Sequence, residues 1–111
     1  MDELKQKKLL FDALKSIENI EEYIGTPLNF EFYSTNKMLK NAVERNLEII
    51  GEAINNLLKI NPDISITNSR RIVDTRNKII HRYDEIEDVN IWVIIINHLP
   101  KLKEEILKLL K

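Results

Sequence analysis

The chain has no cysteine, only two glycines and only three prolines among 111 residues. Without cysteine there is no disulfide framework, no zinc–thiolate site and no thiol nucleophile. So few glycines and prolines cannot supply the turns of an all-β domain, which leaves long helices. An excess of either charge is lacking too. Seventeen Lys and Arg face eighteen Asp and Glu, a net charge of −1, so the molecule as a whole does not attract nucleic acid electrostatically. The longest apolar run, Ile91 to Ile96, is far short of the roughly 20 residues a bilayer span needs. The N-terminal MDELKQKKLLFDALKSIENI is charged throughout and has no apolar stretch with a small-residue cleavage site, so it does not read as a signal peptide. No Gly-rich phosphate loop and no HExxH occur, so neither a metal nor a cofactor is expected. A cytoplasmic protein with no membrane partner is the simplest expectation.

What is present points to one domain over residues 1–111. Hydrophobic residues make up 43% and charged residues 32%, which excludes wholesale disorder. Apolar residues recur at Leu10, Ala13, Ile17, Ile20 and Ile24, one stripe of a helix stopped by Gly25 and Pro27. Residues 26–36 read as a connection, with Leu28, Phe30 and Phe32 tucked against the bundle. Ser34 or Thr35 is expected to cap a second helix striped by Leu39, Val43, Leu47, Ile50, Ile54 and Leu57. Asn61-Pro62 ends it, and Thr67, Asn68 or Ser69 would cap a third. Asp84 and Glu87 resemble a capping box before a fourth. There Trp92, Ile95, Leu99, Leu102, Ile106 and Leu109 form the stripe, and Pro100 should kink the helix by removing a ladder bond near Ile96. Val89, Val93, Ile94 and Ile96 make the first half of that helix apolar nearly all round, as a central helix or one meeting a second subunit would be. A strand over IWVIIIN is the competing reading. The fold class expected is all-α, an antiparallel up-down four-helix bundle, homodimeric.

Charge is uneven within this neutral whole. Arg70, Arg71, Arg76, Lys78 and Arg82 crowd one segment, and the acidic Asp84, Glu85, Glu87 and Asp88 follow. The basic segment contains RNKIIHRY, residues 76–83, with one of the two histidines of the chain. An ordinary surface helix accounts for this spacing without any site. On a helix Arg76 and Tyr83 share a face, about 20° out of line, whereas Arg76 and His81 stand about 140° apart. Asn77 and His81, four apart, stack, so Asn77 can orient the imidazole. A histidine moves protons near neutrality, and an arginine gives a permanent forked phosphate contact. Together they suit in-line attack of an RNA 2′-hydroxyl on its own phosphate, which needs proton transfer and charge stabilisation but no metal. One chain supplies one such histidine to the motif; a symmetric dimer would supply two.

Arg76-Asn77-x-x-x-His81-x-Tyr83 resembles the RX4HXY signature of HepT-like proteins, a branch of the HEPN superfamily. RNLEIIGEAINNL, residues 45–57, resembles the family's second-helix signature around Gly51-Glu52-Ala53. Residues 76–106 follow the family pattern through the tryptophan and the Leu99-Pro100 pair. The loop before the motif, NPDISITNSRRIVDTRN, lacks the Ile-Pro-Trp of many relatives. The resemblance implies all-α domains that dimerise so that two motifs meet at a cleft, many of them metal-independent endoribonucleases. It implies a toxin whose partner, an MntA-like minimal nucleotidyltransferase antitoxin, silences it by adding AMP units to the motif tyrosine, here Tyr83. The expected roles are then Arg76 and His81 as catalytic residues and Asn77 as an orienting residue. Read from the residues themselves, Arg70 and Arg71 are expected as RNA phosphate contacts, and Lys78 and Arg82 as accessory phosphate contacts or plain surface charge; Glu52, beside Gly51, either supports Arg76 by pairing across the bundle or stands as a solvated carboxylate. His98 is expected to be structural, and Trp92 to lie in the core or a dimer interface. The competing functions are an inactive HEPN module that binds nucleotide or RNA, a helical partner subunit of a nucleotidyltransferase, and a purely structural dimer.

Overall fold

The architecture follows from where the apolar stripes fall. In the computed structural model, which describes residues 2–82, 84 and 86–111, every element is helical, and no strand occurs among the described residues. Helix α1 spans Asp2–Ile24 and α3 spans Lys37–Ile60. They lie against each other along their stripes, burying Leu10, Ala13, Ile17 and Ile20 against Val43, Leu47, Ile50, Ile54 and Leu57. Within this core Asn19 donates to Asn46 Oδ1 at 3.1 Å, and Asn46 donates back to the Ala42 carbonyl at 2.9 Å, so the buried amide is satisfied. Helix α4, Ser69–His81, packs on the other side of α3. Gly25 terminates α1 with φ +69°, the left-handed conformation that glycine adopts without strain.

The last fifth of the chain is one continuous helical rod. Helix α5, Asp88–Val93, passes into a five-residue π-helical turn, Ile94–His98, and then into α6, Leu99–Leu109. The strand reading of IWVIIIN is therefore set aside. Where Pro100 was expected to kink the helix, the turn before it is widened: the Leu99 N–H donates to the Ile94 carbonyl, five residues back. Ile95, Leu99, Leu102 and Ile106 line the core. Lys103 Nζ meets Glu21 at 2.9 Å, tying α6 to α1.

The connection between α1 and α3 differs from the expectation. Asn29 caps a short helix α2, Phe30–Ser34, by accepting from the Phe32 N–H. Helical spacing then sends Tyr33 inward, fully buried, while Leu28, Phe30 and Phe32 remain exposed. Tyr33 stacks on Trp92, with ring centroids 5.4 Å apart, and Phe30 meets Trp92 edge-on at 5.7 Å. Neither Ser34 nor Thr35 caps α3. Both hydroxyls donate back to the Glu31 carbonyl of α2, and Asn36 caps α3 by accepting from the Leu39 N–H at 3.0 Å. The Asp84–Glu87 capping box does not form either. Helix α5 begins at Asp88, so both acids precede it and Glu87 makes no side-chain cap. Asp88 instead pairs with Lys40 of α3 at 3.2 Å. Val89, Val93 and Ile96 are exposed on the outer side of the rod. No described helix is long and apolar enough to cross a membrane.

Candidate functional site

Helix α4 carries the motif, and its own periodicity divides the motif residues. Ile72, Val73 and Ile79 are the buried residues that hold α4 on α3. Arg76 falls between Ile72 and Ile79 on this same inward stripe, at spacings of four and three. A long cation therefore occupies a position where an aliphatic side chain would ordinarily sit. Gly51 of α3 makes room for it. A Cβ at residue 51 would stand 2.2 Å from the Arg76 Cβ, 2.8 Å from its Cγ and 3.2 Å from the Ile72 carbonyl oxygen. The two helices can approach this closely only because residue 51 has no side chain.

The guanidinium is held from two sides. Its Nη2 donates to Glu52 Oε2 in a short ion pair, and its Nη1 donates to Asn77 Oδ1 at 2.8 Å. Nε is buried and has no acceptor among the described residues. The Arg76 side chain is 22% exposed, whereas that of Glu52 is 52% exposed. The ion pair between Glu52 and Arg76 across the helix contact is as expected from the sequence.

His81 lies on the opposite side of α4. It is exposed and, with Asp74, Asn77, Lys78 and Arg82, lines an open cavity of about 480 Å³. Arg76 and His81 therefore do not converge within one chain, as their roughly 140° separation on a helix requires. Asn77 connects them: it lines the His81 cavity and accepts the hydrogen bond from Arg76. The Asn77 amide oxygen is thus engaged by Arg76.

The remaining sequence-nominated residues distribute along α4. Arg70 is exposed. Arg71 Nη1 lies 3.2 Å from His98 Nε2, so His98 is part of a contact between α4 and the rod. Arg71, Thr75 and Lys78 flank a second cavity, about 320 Å³, walled by Ile79, Ile86, Ile91 and Ile94. Lys78 lines both cavities. Tyr83 lies outside the described residues. Sequence reasoning passed over Asp74 as a cavity residue, although its spacing to Lys78 and His81, four and seven, places all three on one helix face. No sequence signal pairs Arg71 with His98. Among the described residues, no group of three or more metal-ligating side chains occurs.

Comparison with known proteins agrees with the motif. Residues 13–109 match the family described as "Ribonuclease HepT-like". The chain is 37% identical over 106 residues to the "Gamma-glutamylcyclotransferase and putative RNase MJ0434" of Methanocaldococcus jannaschii, covering 95% of this chain and 47% of that protein. It therefore spans about half the length of this relative. It is 35% identical over 104 residues to the "Putative RNase MJ1380" of the same organism, covering 90% of this chain and 92% of that one. Against the "Probable ribonuclease HepT" of Thermococcus cleftensis the identity is 34% over 109 residues, covering 95% and 96%. No solved structure matches the chain. With its motif on α4 and the match running almost from end to end, the chain belongs to the ribonuclease HepT-like family.

Proposed function

We propose that this protein is a metal-independent endoribonuclease, the toxin of a toxin–antitoxin pair, acting as a homodimer of antiparallel four-helix bundles with a composite site between the copies. The observation that carries the reading is the linkage on α4: an anchored arginine, joined through Asn77 to an open cavity that holds an exposed histidine and two further cations. Family membership and relatives named as ribonucleases support it.

The chemistry follows from the side chains. An RNA phosphate held by Arg76 would gain negative charge as the neighbouring 2′-hydroxyl attacks, and the guanidinium offers fixed charge at that point. His81 of one copy takes the 2′-hydroxyl proton, and His81 of the other gives a proton to the departing 5′-oxygen. The P–O5′ bond breaks as the P–O2′ bond forms, leaving a 2′,3′-cyclic phosphate and a 5′-hydroxyl. Arg70, Arg71, Lys78 and Arg82 would hold flanking phosphates. The apolar outer residues Val89, Val93 and Ile96 support a contact between copies. An MntA-like nucleotidyltransferase adding AMP to Tyr83 would bring negative charge beside this basic surface and exclude RNA.

The test is cleavage of RNA by the purified protein in EDTA, compared with His81→Ala. Loss of at least about a hundredfold in rate, with cyclic-phosphate ends on the wild-type products, is expected. Equal cleavage by both proteins, or none by the wild type freed of its partner, refutes the reading. Intact mass after co-expression with an MntA-like nucleotidyltransferase, with and without Tyr83→Phe, tests the modification.

A further inference from the structure

We infer that Gly51 and Glu52 form a seat on α3 that sets the depth and angle of Arg76, making both of them positioning residues of the proposed cleavage. The inference rests on the ribonuclease reading and extends it from α4 to a second helix.

Three observations converge on it. First, Arg76 lies on the inward stripe of α4, where the contact with α3 and not solvent determines its path. Second, that contact has a notch of fixed size. The Arg76 Cβ and Cγ lie where a side chain on residue 51 would have to be. Third, the guanidinium is fastened at both nitrogen ends, to the Glu52 carboxylate and the Asn77 amide oxygen, while Nε is buried and has no acceptor among the described residues. A freely placed arginine would turn Nε to solvent or to a carboxylate, because a buried unpaired N–H is unfavourable. Here the seat holds the group in a pose that its own hydrogen bonding would not select. Each of Nη1 and Nη2 keeps a second N–H that neither Glu52 nor Asn77 uses. Two such donors form the fork that a phosphate accepts.

The carboxylate contributes more than an anchor. It balances a guanidinium that is largely withdrawn from water, which would otherwise be costly on the face of a helix contact. Glu52 touches no reacting atom in this arrangement, so it acts only through Arg76. Substituting it should misalign the arginine and lower turnover, with less effect on how tightly RNA is held by the flanking lysine and arginines.

The experiment uses the full chain with Glu52→Gln, Gly51→Ala, Arg76→Ala and the Glu52→Gln/Arg76→Ala double variant, beside wild type and His81→Ala. The expected result for Glu52→Gln is a kcat about tenfold lower with KM within about twofold, and no further loss when it is added to Arg76→Ala. Gly51→Ala should lose more, because α4 must move; since it may fail to fold, Glu52→Gln carries the test. Arginine side-chain NMR gives a readout that a general loss of stability would not produce: slow rotation of one guanidinium in wild type, and fast rotation in Glu52→Gln at a temperature where both are folded. Glu52→Gln cleaving at the wild-type rate while His81→Ala is inactive overturns the inference and leaves the ribonuclease reading intact. Additive losses in the double variant also overturn it. Wild type and His81→Ala cleaving alike overturns the ribonuclease reading, and the inference with it.

Discussion

Replacing Tyr33 with phenylalanine should stabilise the protein, although tyrosine at that position is fully buried and stacked on Trp92. The ring is the useful part. It fills the space between α2, α3 and the start of α5, and phenylalanine keeps it. The hydroxyl oxygen is buried and has no hydrogen-bond partner among the described residues, and an unpaired buried hydroxyl costs about 1–3 kcal/mol. Removing it leaves a void of roughly 10–15 Å³, worth about 0.3 kcal/mol at some 24 cal/mol per Å³. The net gain is then about 0.7–2.7 kcal/mol. Unfolding entropy scales with length at about 2.1 cal/mol/K per residue, so each kcal/mol moves Tm by about 4 °C, and a rise of about 3–11 °C is expected. Alkaline titration makes the test sharper. Burial, then the charges of Glu44 and Asp88, push the Tyr33 hydroxyl well above the ordinary tyrosine range. A group whose pKa is raised by folding supports the fold below its unfolded value, about 10, and that support is lost as pH climbs beyond it. The advantage of Tyr33→Phe should therefore widen above about pH 10. Thermal melts by circular dichroism from pH 7 to 11 measure both effects. A Tyr33→Phe protein less stable than wild type by 1 kcal/mol or more would show that the hydroxyl has an acceptor, and the argument fails.

Three further substitutions test neighbouring parts of the same region. Burial first, then Asp88, with Lys40 opposing, raises the Glu44 carboxyl pKa above its ordinary value. Its support for the fold is therefore present in acid, below the unfolded pKa near ~4.3, and lost as pH rises through the raised folded value. Glu44→Gln should accordingly raise Tm at pH 7 and converge on wild type near pH 4; a lower Tm at pH 7 would show that the attraction of Lys40 outweighs burial. Asn36→Ala removes the side-chain cap of α3 and should cost about 1 kcal/mol, or about 4 °C in Tm. Ser34→Ala, at a residue expected to cap but found bonded within α2, should stay within about 0.5 kcal/mol of wild type by chemical denaturation.

The long stripes were legible because a helix of 23 or 24 residues repeats its signal many times. Leu10 to Ile24 and Leu39 to Leu57 needed only their spacing. The short helix α2 was not legible. Five residues give little more than one turn, too few for a period, and a segment with three aromatics reads as apolar filler until Asn29 is recognised as a cap. Caps were misplaced by one or two residues at α3 and by more at α5. Ser, Thr, Asn and Asp compete for such positions, and the loser, Thr35, is held by a neighbouring carbonyl that sequence does not reveal. In the site, Gly51 beside the acid implies close approach and so made the ion pair of Glu52 with Arg76 one of two readings, the other being a solvated carboxylate; the structure has the pair. Pairing of Arg71 with His98 was not, since the partners are 27 residues apart and nothing local links them.

The same geometry limits what one copy can do under the proposed reaction. In-line transesterification moves two protons, one from the attacking 2′-hydroxyl and one to the leaving 5′-oxygen. Helix α4 offers one imidazole on its exposed side and one guanidinium on its α3 side. The guanidinium cannot simply swing across, because Glu52 and Asn77 hold both its ends and Gly51 fixes its root. A cleft assembled from two α4 helices removes the difficulty without moving either arginine. Each copy presents His81 outward from an open cavity, and each keeps Arg76 joined to the edge of that cavity through Asn77. The separation of the two residues on one helix is thus a reason to place the proposed site between copies, where a phosphate can lie against both imidazoles at once.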